Sequence, residues 1–351
     1  MRILEVSRYK NNFVDHQLPF VTEQGEAIRV LGHEVDYFLV QGNYVKAVGA
    51  LKAKIREFKP DVVHAHFGLS AITAELQSLV PVVTTFHNGE IHHWWVNLMT
   101  SLMSLRAKHV FYVAQHIHDM VYFKARNYSI IPCGVSLDDC FLMDKAEARR
   151  QLDWEPNKKY ILFGGTFSNT RKNYALLRDA IQQLVPLSTN SATNNSTKGT
   201  SWPPTDTPSG LDAFGDIVCV EMKGLSRAEC VLRMNACDVF ALPTKNEGSP
   251  QALKEAMACN CPIVATDVAD IKHLLGDLPG HYLLPNKRGN GAWWKGDEHS
   301  AEELADLLKQ ALAFEGRTKG RERIVELGYT NELVAKQIIA IYQEVLSKNK
   351  D

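Results

Sequence analysis

No apolar run in these 351 residues approaches the ~20 needed for a membrane-spanning helix. The opening stretch MRILEVSRYK has no signal-peptide hydrophobic region, so a cytoplasmic chain is expected, either in solution or peripheral to the inner face of a membrane. Neither sign of charge is in excess: 39 basic residues meet 40 acidic ones, a formal net charge of −1. That balance removes the bulk electrostatic case for nucleic acid as a partner. The seven cysteines are odd in number and lack a disulfide-like framework, which fits a reducing compartment. Also missing is a glycine fingerprint after the first strand. SRYKNNF contains no G-x-G-x-x-G, so a nicotinamide-dependent oxidoreductase loses its main support.

What is present reads as an ordinary globular protein, 45% hydrophobic and 23% charged, and too long for one core. Strands are predicted at 2–6, 34–40, 61–66, 80–85, 109–113 and 128–131, alternating with helices at 20–31, 45–58, 70–79, 94–105 and 115–126. The rhythm repeats with strands at 160–163, 217–220, 239–241, 263–265 and 281–284. Helices are predicted there at 175–184, 227–235, 250–258, 271–275 and 301–312. The fold class is therefore α/β, two Rossmann-like doubly wound domains, each a parallel sheet with helices on both faces. Ligands bind at the carboxyl ends of such strands, so a cleft between two facing sheets is expected. The domains are read as 1–150 and 151–330, with a hinge in the charged, strand-free stretch 142–156. Residues 188–210 form a long polar loop, and an amphipathic helix over about 331–351 is free to pack back on the first domain.

The most informative segment is 238–267, DVFALPTKNEGSPQALKEAMACNCPIVATD. A strand, a loop with Glu247 and Gly248, and a helix from Ser249-Pro250 follow one another. Serine suits the N-cap, and proline the first turn, where its missing N–H is no loss. Gly248 allows close backbone approach to a ligand, and the free amides of the helix start suit a diphosphate. Glu255 lies five residues past Pro250, about 8 Å along the axis. That suits a ribose diol, with Glu247 nearer a sugar. The same two residues also read as a dipole-favouring acid and a solvated helical glutamate.

Glu247 and Glu255, in EGSPQALKEAMACNCPIVATD, resemble the E-x7-E motif of family 4 glycosyltransferases. The resemblance spans nearly the whole chain, through LGHEV (31–35), DVVHAHFG (61–68), TTFHNGE (84–90), IIPCGVSLDDCF (130–141) and FGGTFSNTRKN (163–173). It implies the GT-B fold and retaining transfer of a sugar from a nucleoside-diphosphate-sugar, with no metal or other cofactor. The acceptor it implies is a glycan or lipid-linked glycan, as in cell-surface polysaccharide synthesis. By the same resemblance Lys172 pairs with the donor diphosphate, Glu255 holds the ribose, Glu247 contacts the transferred sugar and His87 borders sugar and acceptor. The catalytic residues are then His87, Lys172 and Glu247. The donor site comprises Thr166, Arg171, Lys172, Glu247, Gly248, Ser249, Pro250 and Glu255, and His66 joins His87 on the acceptor side.

Departures from the family pattern bear on single contacts. Thr166 occupies the approximate place of a usual arginine, leaving Arg171 to supply that charge or the contact absent. The glycine-rich loop of the first domain is missing, and Asp270 and His273 stand where a glycine and a glutamate are usual. His64 and His66 alternate on one strand face with His92 and His93 nearby, but no carboxylate or cysteine completes a metal-ligand spacing. Cys259 and Cys261 read as core or loop residues. Trp94, Trp95 and Met99, with Arg106 and Lys108 close by, read as core packing, the alternatives being an apolar acceptor patch or a membrane contact. Rival functions are a GT-B epimerase or phosphorylase, the oxidoreductase, and a non-catalytic nucleotide-sugar sensor.

Overall fold

The computed structural model describes residues 1–10, 18–185, 210–286 and 299–348. Of the polar segment 188–210, all but Gly210 lies outside the described residues. The chain divides into two compact units, Met1–Ser136 with Gly328–Asp351, and Leu137–Leu327.

In the first unit, β1 (Arg2–Arg8), β2 (Glu34–Val40), β3 (Val62–His66), β4 (Val82–Phe86), β5 (His109–Tyr112) and β6 (Tyr128–Ile130) form one sheet. Its order is β2-β1-β3-β4-β5-β6, with every pairing parallel. Strand side chains alternate between faces, and both faces are covered. On one face Leu4, Val6, Val63, Ala65 and Val82 pack against Leu51 and Ile55 of α2 (Val48–Phe58) and Ala71 and Ala74 of α3 (Gly68–Glu75). On the other, Ile3, Val35, Val62, Val83 and Phe111 meet Ile28 of α1 (Pro19–Val30) and Val334, Ile338, Tyr342 and Val345 of the C-terminal helix (Asn331–Ser347). Two further helices complete this unit, α4 (Trp94–Ser104) and α5 (Gln115–Met120). The latter stops well short of the expected residue 126, because Val121 turns extended at φ −70°, ψ 141°.

The second unit holds β7 (Lys159–Phe163), β8 (Leu211–Phe214), β9 (Ile217–Glu221), β10 (Val239–Leu242), β11 (Ile263–Thr266) and β12 (His281–Leu284), in the order β12-β11-β10-β7-β9-β8. Its sheet is not wholly parallel: β8 joins the edge as the antiparallel partner of β9. Around it lie α6 (Lys145–Gln151), α7 (Tyr174–Leu184), α8 (Arg227–Ala236), α9 (Gln251–Ala258), α10 (Ile271–Leu275), α11 (Ala301–Ala313) and α12 (Gly320–Glu326).

The stretch expected to be a hinge, 142–156, carries α6 and is anchored to this unit. Asp144 caps the helix by accepting from the amides of Ala146 and Glu147, both at 3.0 Å. Arg149 is buried, with Nη2 2.7 Å from the Asp238 carboxylate and Nε donating to the Ala236 carbonyl. Asp238 also accepts from the Tyr160 amide at 2.7 Å and pairs with Lys145. A buried carboxylate shared by two cations and an amide is a fixed anchor, since freeing either side would strand a charge.

Candidate functional site

Two loops of the second unit bring Lys172, Arg171 and Glu247 together. The first leaves β7 through Gly164 and Gly165. These glycines serve space: a Cβ on Gly164 would lie 2.6 Å from Phe240 Cζ, and one on Gly165 would lie 2.7 Å from Lys172 Cγ. The lysine stem thus lies along the backbone at Gly165, and its Nζ reaches Glu247 Oε1 at 2.6 Å. Glu247, buried in the loop after β10, also accepts from Thr244 Oγ1 at 3.0 Å and has Arg171 Nη1 3.8 Å from its second oxygen. The loops are stitched by backbone. The Arg171 carbonyl accepts from the Lys245 amide at 2.9 Å and from Thr244 Oγ1 at 3.2 Å. Lys172, Arg171 and Glu247 are therefore brought together, whereas Thr166 has its hydroxyl 3.4 Å from Ser168 Oγ.

Helix α9 begins one residue later than expected. Its N-cap is Pro250 in extended conformation (φ −69°, ψ 111°), with no side-chain cap bond. The expected Ser249 cap is not made, because the proline takes the cap position and Ser249 faces Asp270 instead. Burial pushes the Asp270 carboxyl up to about 6, against the opposing pull of Ser249, Lys254 and His273. Gly248 is buried at the approach to the helix. Glu255 is buried and pairs with Arg227 Nη1 at 2.6 Å. Sequence reasoning missed Arg227, which opens α8, and the wholly buried Lys254. Only the tertiary approach of α8 to α9 makes the Arg227 contact visible, and Lys254 lies near Asp270.

In the first unit, His66 ends β3 and His87 follows β4. His66 Nδ1 is 3.2 Å from His87 Nε2, and His66 Nε2 is 2.7 Å from Glu5 Oε2. His64 shares the face, with Nδ1 2.6 Å from the Tyr342 hydroxyl and Nε2 2.6 Å from Thr85 Oγ1. The sequence reading found no carboxylate to complete these histidines, but parallel register sets Glu5 beside His64, and Glu5, His64 and His66 are all buried. A glutamate inside the otherwise apolar run ILEV was the available signal. Among the described residues these three form the one group with a metal-type donor set. Every ring nitrogen already has a protein partner within 3.2 Å, so the group is a hydrogen-bonded network. Burial, and then the neighbouring His66 and His87, hold His64 well below the ordinary histidine range.

Helix α4 corrects another expectation. Trp94, Trp95 and Met99 do not pack in the core; they are exposed by 69, 51 and 44%, and Leu102 and Leu105 join them. Cys259 and Cys261 are buried. No helix among the described residues is long and apolar enough to cross a membrane.

Two family models match, one described as Glycosyltransferase Family 4 over residues 19–139 and one as Glycosyl transferases group 1 over residues 158–313. A Bacillus subtilis protein assigned to teichuronic acid biosynthesis as the glycosyltransferase TuaC is 25% identical over 67% of this chain, a match that spans 60% of that relative's own length. Among solved structures, sucrose-phosphate synthase from Thermosynechococcus elongatus superposes with a TM-score of 0.72 at 16% identity, covering 99% of both chains. HepE from Anabaena, in complex with UDP and glucose, gives 0.69 at 14%, covering 98% of this chain and 100% of that one. These likenesses establish the fold as GT-B, two Rossmann-like α/β domains. With glycosyltransferase models matching 19–139 and 158–313, one on each half, the chain belongs to family 4 of the glycosyltransferases.

Proposed function

We propose that the chain transfers a sugar from a nucleoside-diphosphate-sugar to a glycan or lipid-linked glycan, with retention of configuration, in the assembly of a cell-surface polysaccharide. The observation that carries this reading is the Lys172–Glu247 pair at 2.6 Å, set beside the start of α9 with Glu255 further along the same helix. The Lys172 ammonium has three donors and spends one on Glu247, leaving donors for phosphate oxygens. Together with the first amides of α9 it supplies positive potential where the leaving diphosphate gathers charge. Arg171, with its guanidinium 3.8 Å from Glu247, takes the part of the arginine that Thr166 lacks. Glu255, oriented by Arg227, accepts from the ribose diol, and Glu247 positions the sugar. The leaving diphosphate takes the acceptor proton on the same face, so the step calls for no protein nucleophile, metal or cofactor. His87 and His66 serve the acceptor side. The TuaC relative and the HepE complex support a surface polysaccharide and a UDP-type donor respectively.

The test is thermal unfolding of wild type, Lys172→Met and Glu255→Ala against UDP, GDP, ADP, CMP and NAD. A ligand at about 100 times its Kd stabilises the fold by roughly 2.7 kcal/mol. One nucleoside diphosphate should shift wild type and neither variant. A shift by NAD alone, or variants that respond like wild type, removes the donor-site assignment.

The exposed face of α4 supports a peripheral contact with the cytoplasmic face of a membrane, close to a lipid-linked acceptor. Trp94 and Trp95 have the amphipathic rings favoured at that depth, and Arg106 and Lys108 follow the helix to meet anionic headgroups. Vesicles with one third phosphatidylglycerol should sediment wild type, and the Trp94→Ser/Trp95→Ser variant should bind them at least about 30-fold more weakly, since each buried indole contributes on the order of 1–2 kcal/mol. Equal sedimentation would remove the contact.

A further inference from the structure

We propose that Glu5 and His66 are positioning residues that fix the tautomer and orientation of His87, an inference that rests on the acceptor-side reading of His87. Glu5 is the member of the network whose side chain carries no nitrogen donor. An ionised carboxylate only accepts, so the 2.7 Å contact of Glu5 Oε2 requires the proton of His66 on Nε2. A neutral His66 then offers a lone pair at Nδ1, and His87 Nε2, 3.2 Å away, must donate into it. His87 Nδ1 is left as the acceptor nitrogen, 3.9 Å from Cys133 Sγ. A carboxylate one strand away thus decides, through an intervening ring, which nitrogen of His87 carries the proton.

Each link is held on a rigid element. Glu5 stands in β1 and His66 ends β3, which pair in parallel, and both side chains are fully buried. The rings of Phe20 and Phe67 both pack against His87, with centroids 4.8 and 4.5 Å away. Phe67 keeps that place in a strained conformation, φ 68° and ψ 139°, a region that side chains other than glycine rarely adopt. Strain of this kind persists only where surrounding structure over-determines it, here through the Phe67 amide bonded to the Thr85 carbonyl at 2.9 Å.

The neighbouring histidine has further partners of its own. His64 Nδ1 lies 2.6 Å from the Tyr342 hydroxyl, 3.4 Å from Gln24 Nε2 and 3.5 Å from Glu5 Oε2, and its Nε2 lies 2.6 Å from Thr85 Oγ1. The three imidazoles are stacked, with centroids 4.4 Å apart for His64–His66 and 5.4 Å for His66–His87. Two adjacent positive rings would repel at that spacing, and the one carboxylate balances one charge. Among the described residues, the charged and titratable groups recorded around His87 include His66, His64 behind it, Glu5 and Cys133.

The experiment uses the whole chain labelled with ¹⁵N-histidine, read by long-range ¹H–¹⁵N correlation, with Glu5→Gln and His87→Ala for assignment and comparison. Wild type should show His66 and His87 as Nε2–H tautomers. In Glu5→Gln the amide donates as well as accepts, and both rings should become tautomeric mixtures. Release of nucleoside diphosphate from UDP-glucose, GDP-mannose and ADP-glucose is measured in parallel. On the donor that turns over, Glu5→Gln should lower kcat about 10- to 100-fold with little change in donor KM. Glu5→Asp should recover part of that loss by restoring the charge. An unchanged His87 tautomer in a folded Glu5→Gln protein overturns the relay. So does one equivalent of zinc on wild type that is lost from Glu5→Gln. If the tautomers shift as stated but His87→Ala turns over like wild type, the relay stands and the acceptor-side reading of His87 falls.

Discussion

Lys172→Met is expected to lower kcat at least ~10²-fold on the donor that turns over, a loss typical of removing one preorganised group from developing negative charge. Methionine keeps the stem that lies along Gly165, so the change isolates the ammonium. The same substitution strands Glu247, which is 7% exposed and keeps only Thr244 as a close partner, with Arg171 at 3.8 Å. An uncompensated buried carboxylate costs about 3–5 kcal/mol in other proteins, and the nearby guanidinium should reduce that to the lower end. Two effects are thus superimposed, and a second substitution separates them. Lys172→Met/Glu247→Gln removes both charges, so it should recover most of the lost stability in urea unfolding while turnover stays at the level of the single variant. If the double variant regains turnover along with stability, the pair is structural and the phosphate-binding role of Lys172 is wrong.

That separation matters because, at the level of sequence, the diphosphate role of Lys172 rests on the family resemblance alone. The structure supplies a partner the sequence did not show, since Glu247 lies 75 residues away and meets the lysine only through the stitching of two loops. The alternation of strands and helices was legible because each buried strand is a short apolar run with turn residues at its ends. Hidden from that reading was whatever depends on neighbours. Strand β8 is four partly exposed residues, LDAF, interrupted by Asp212, and only its pairing with β9 makes it a strand. Helix α6 looked like a linker because it is charged, yet its Arg149 is buried on Asp238. Trp94 and Trp95 looked like core because tryptophan usually is, whereas α4 turns that face outward. Of the two glutamates in the motif, spacing alone placed both near one helix start. It showed neither Arg227 on Glu255 nor the Glu5 network, because those pairs are set by helix approach and strand register.

The stability of the chain should fall, relative to a Glu75→Gln variant, as pH rises from about 4.5 to 8, and the gap should then stay constant. Glu75 ends α3 beside a pocket of about 490 Å³ lined also by Gln77, Arg106 and Lys108. Burial pushes its carboxyl up to about 8, and Arg106 and Lys108 oppose that rise without overcoming it. The sign follows from proton binding. Between the unfolded value near 4.5 and the folded value near 8, the folded chain keeps a proton that the unfolded chain has released. The stabilisation carried by the protonated group is complete below 4.5 and is lost as pH climbs through the folded value. Glutamine keeps the hydrogen-bonding amide at all these pH values and loses nothing. At 1.36 kcal/mol per unit the full difference is at most about 5 kcal/mol. Urea midpoints of both proteins at pH 5, 7 and 9 measure it. A gap that grows to pH 8 and then levels shows a neutral Glu75 at rest, and hence two basic side chains uncompensated by it below α4. A gap that is flat throughout shows instead an ionised Glu75 paired with Arg106 or Lys108. In that case the positive charge assigned to headgroup binding would already be spent within the protein, and the weaker membrane contact should appear in the same vesicle sedimentation.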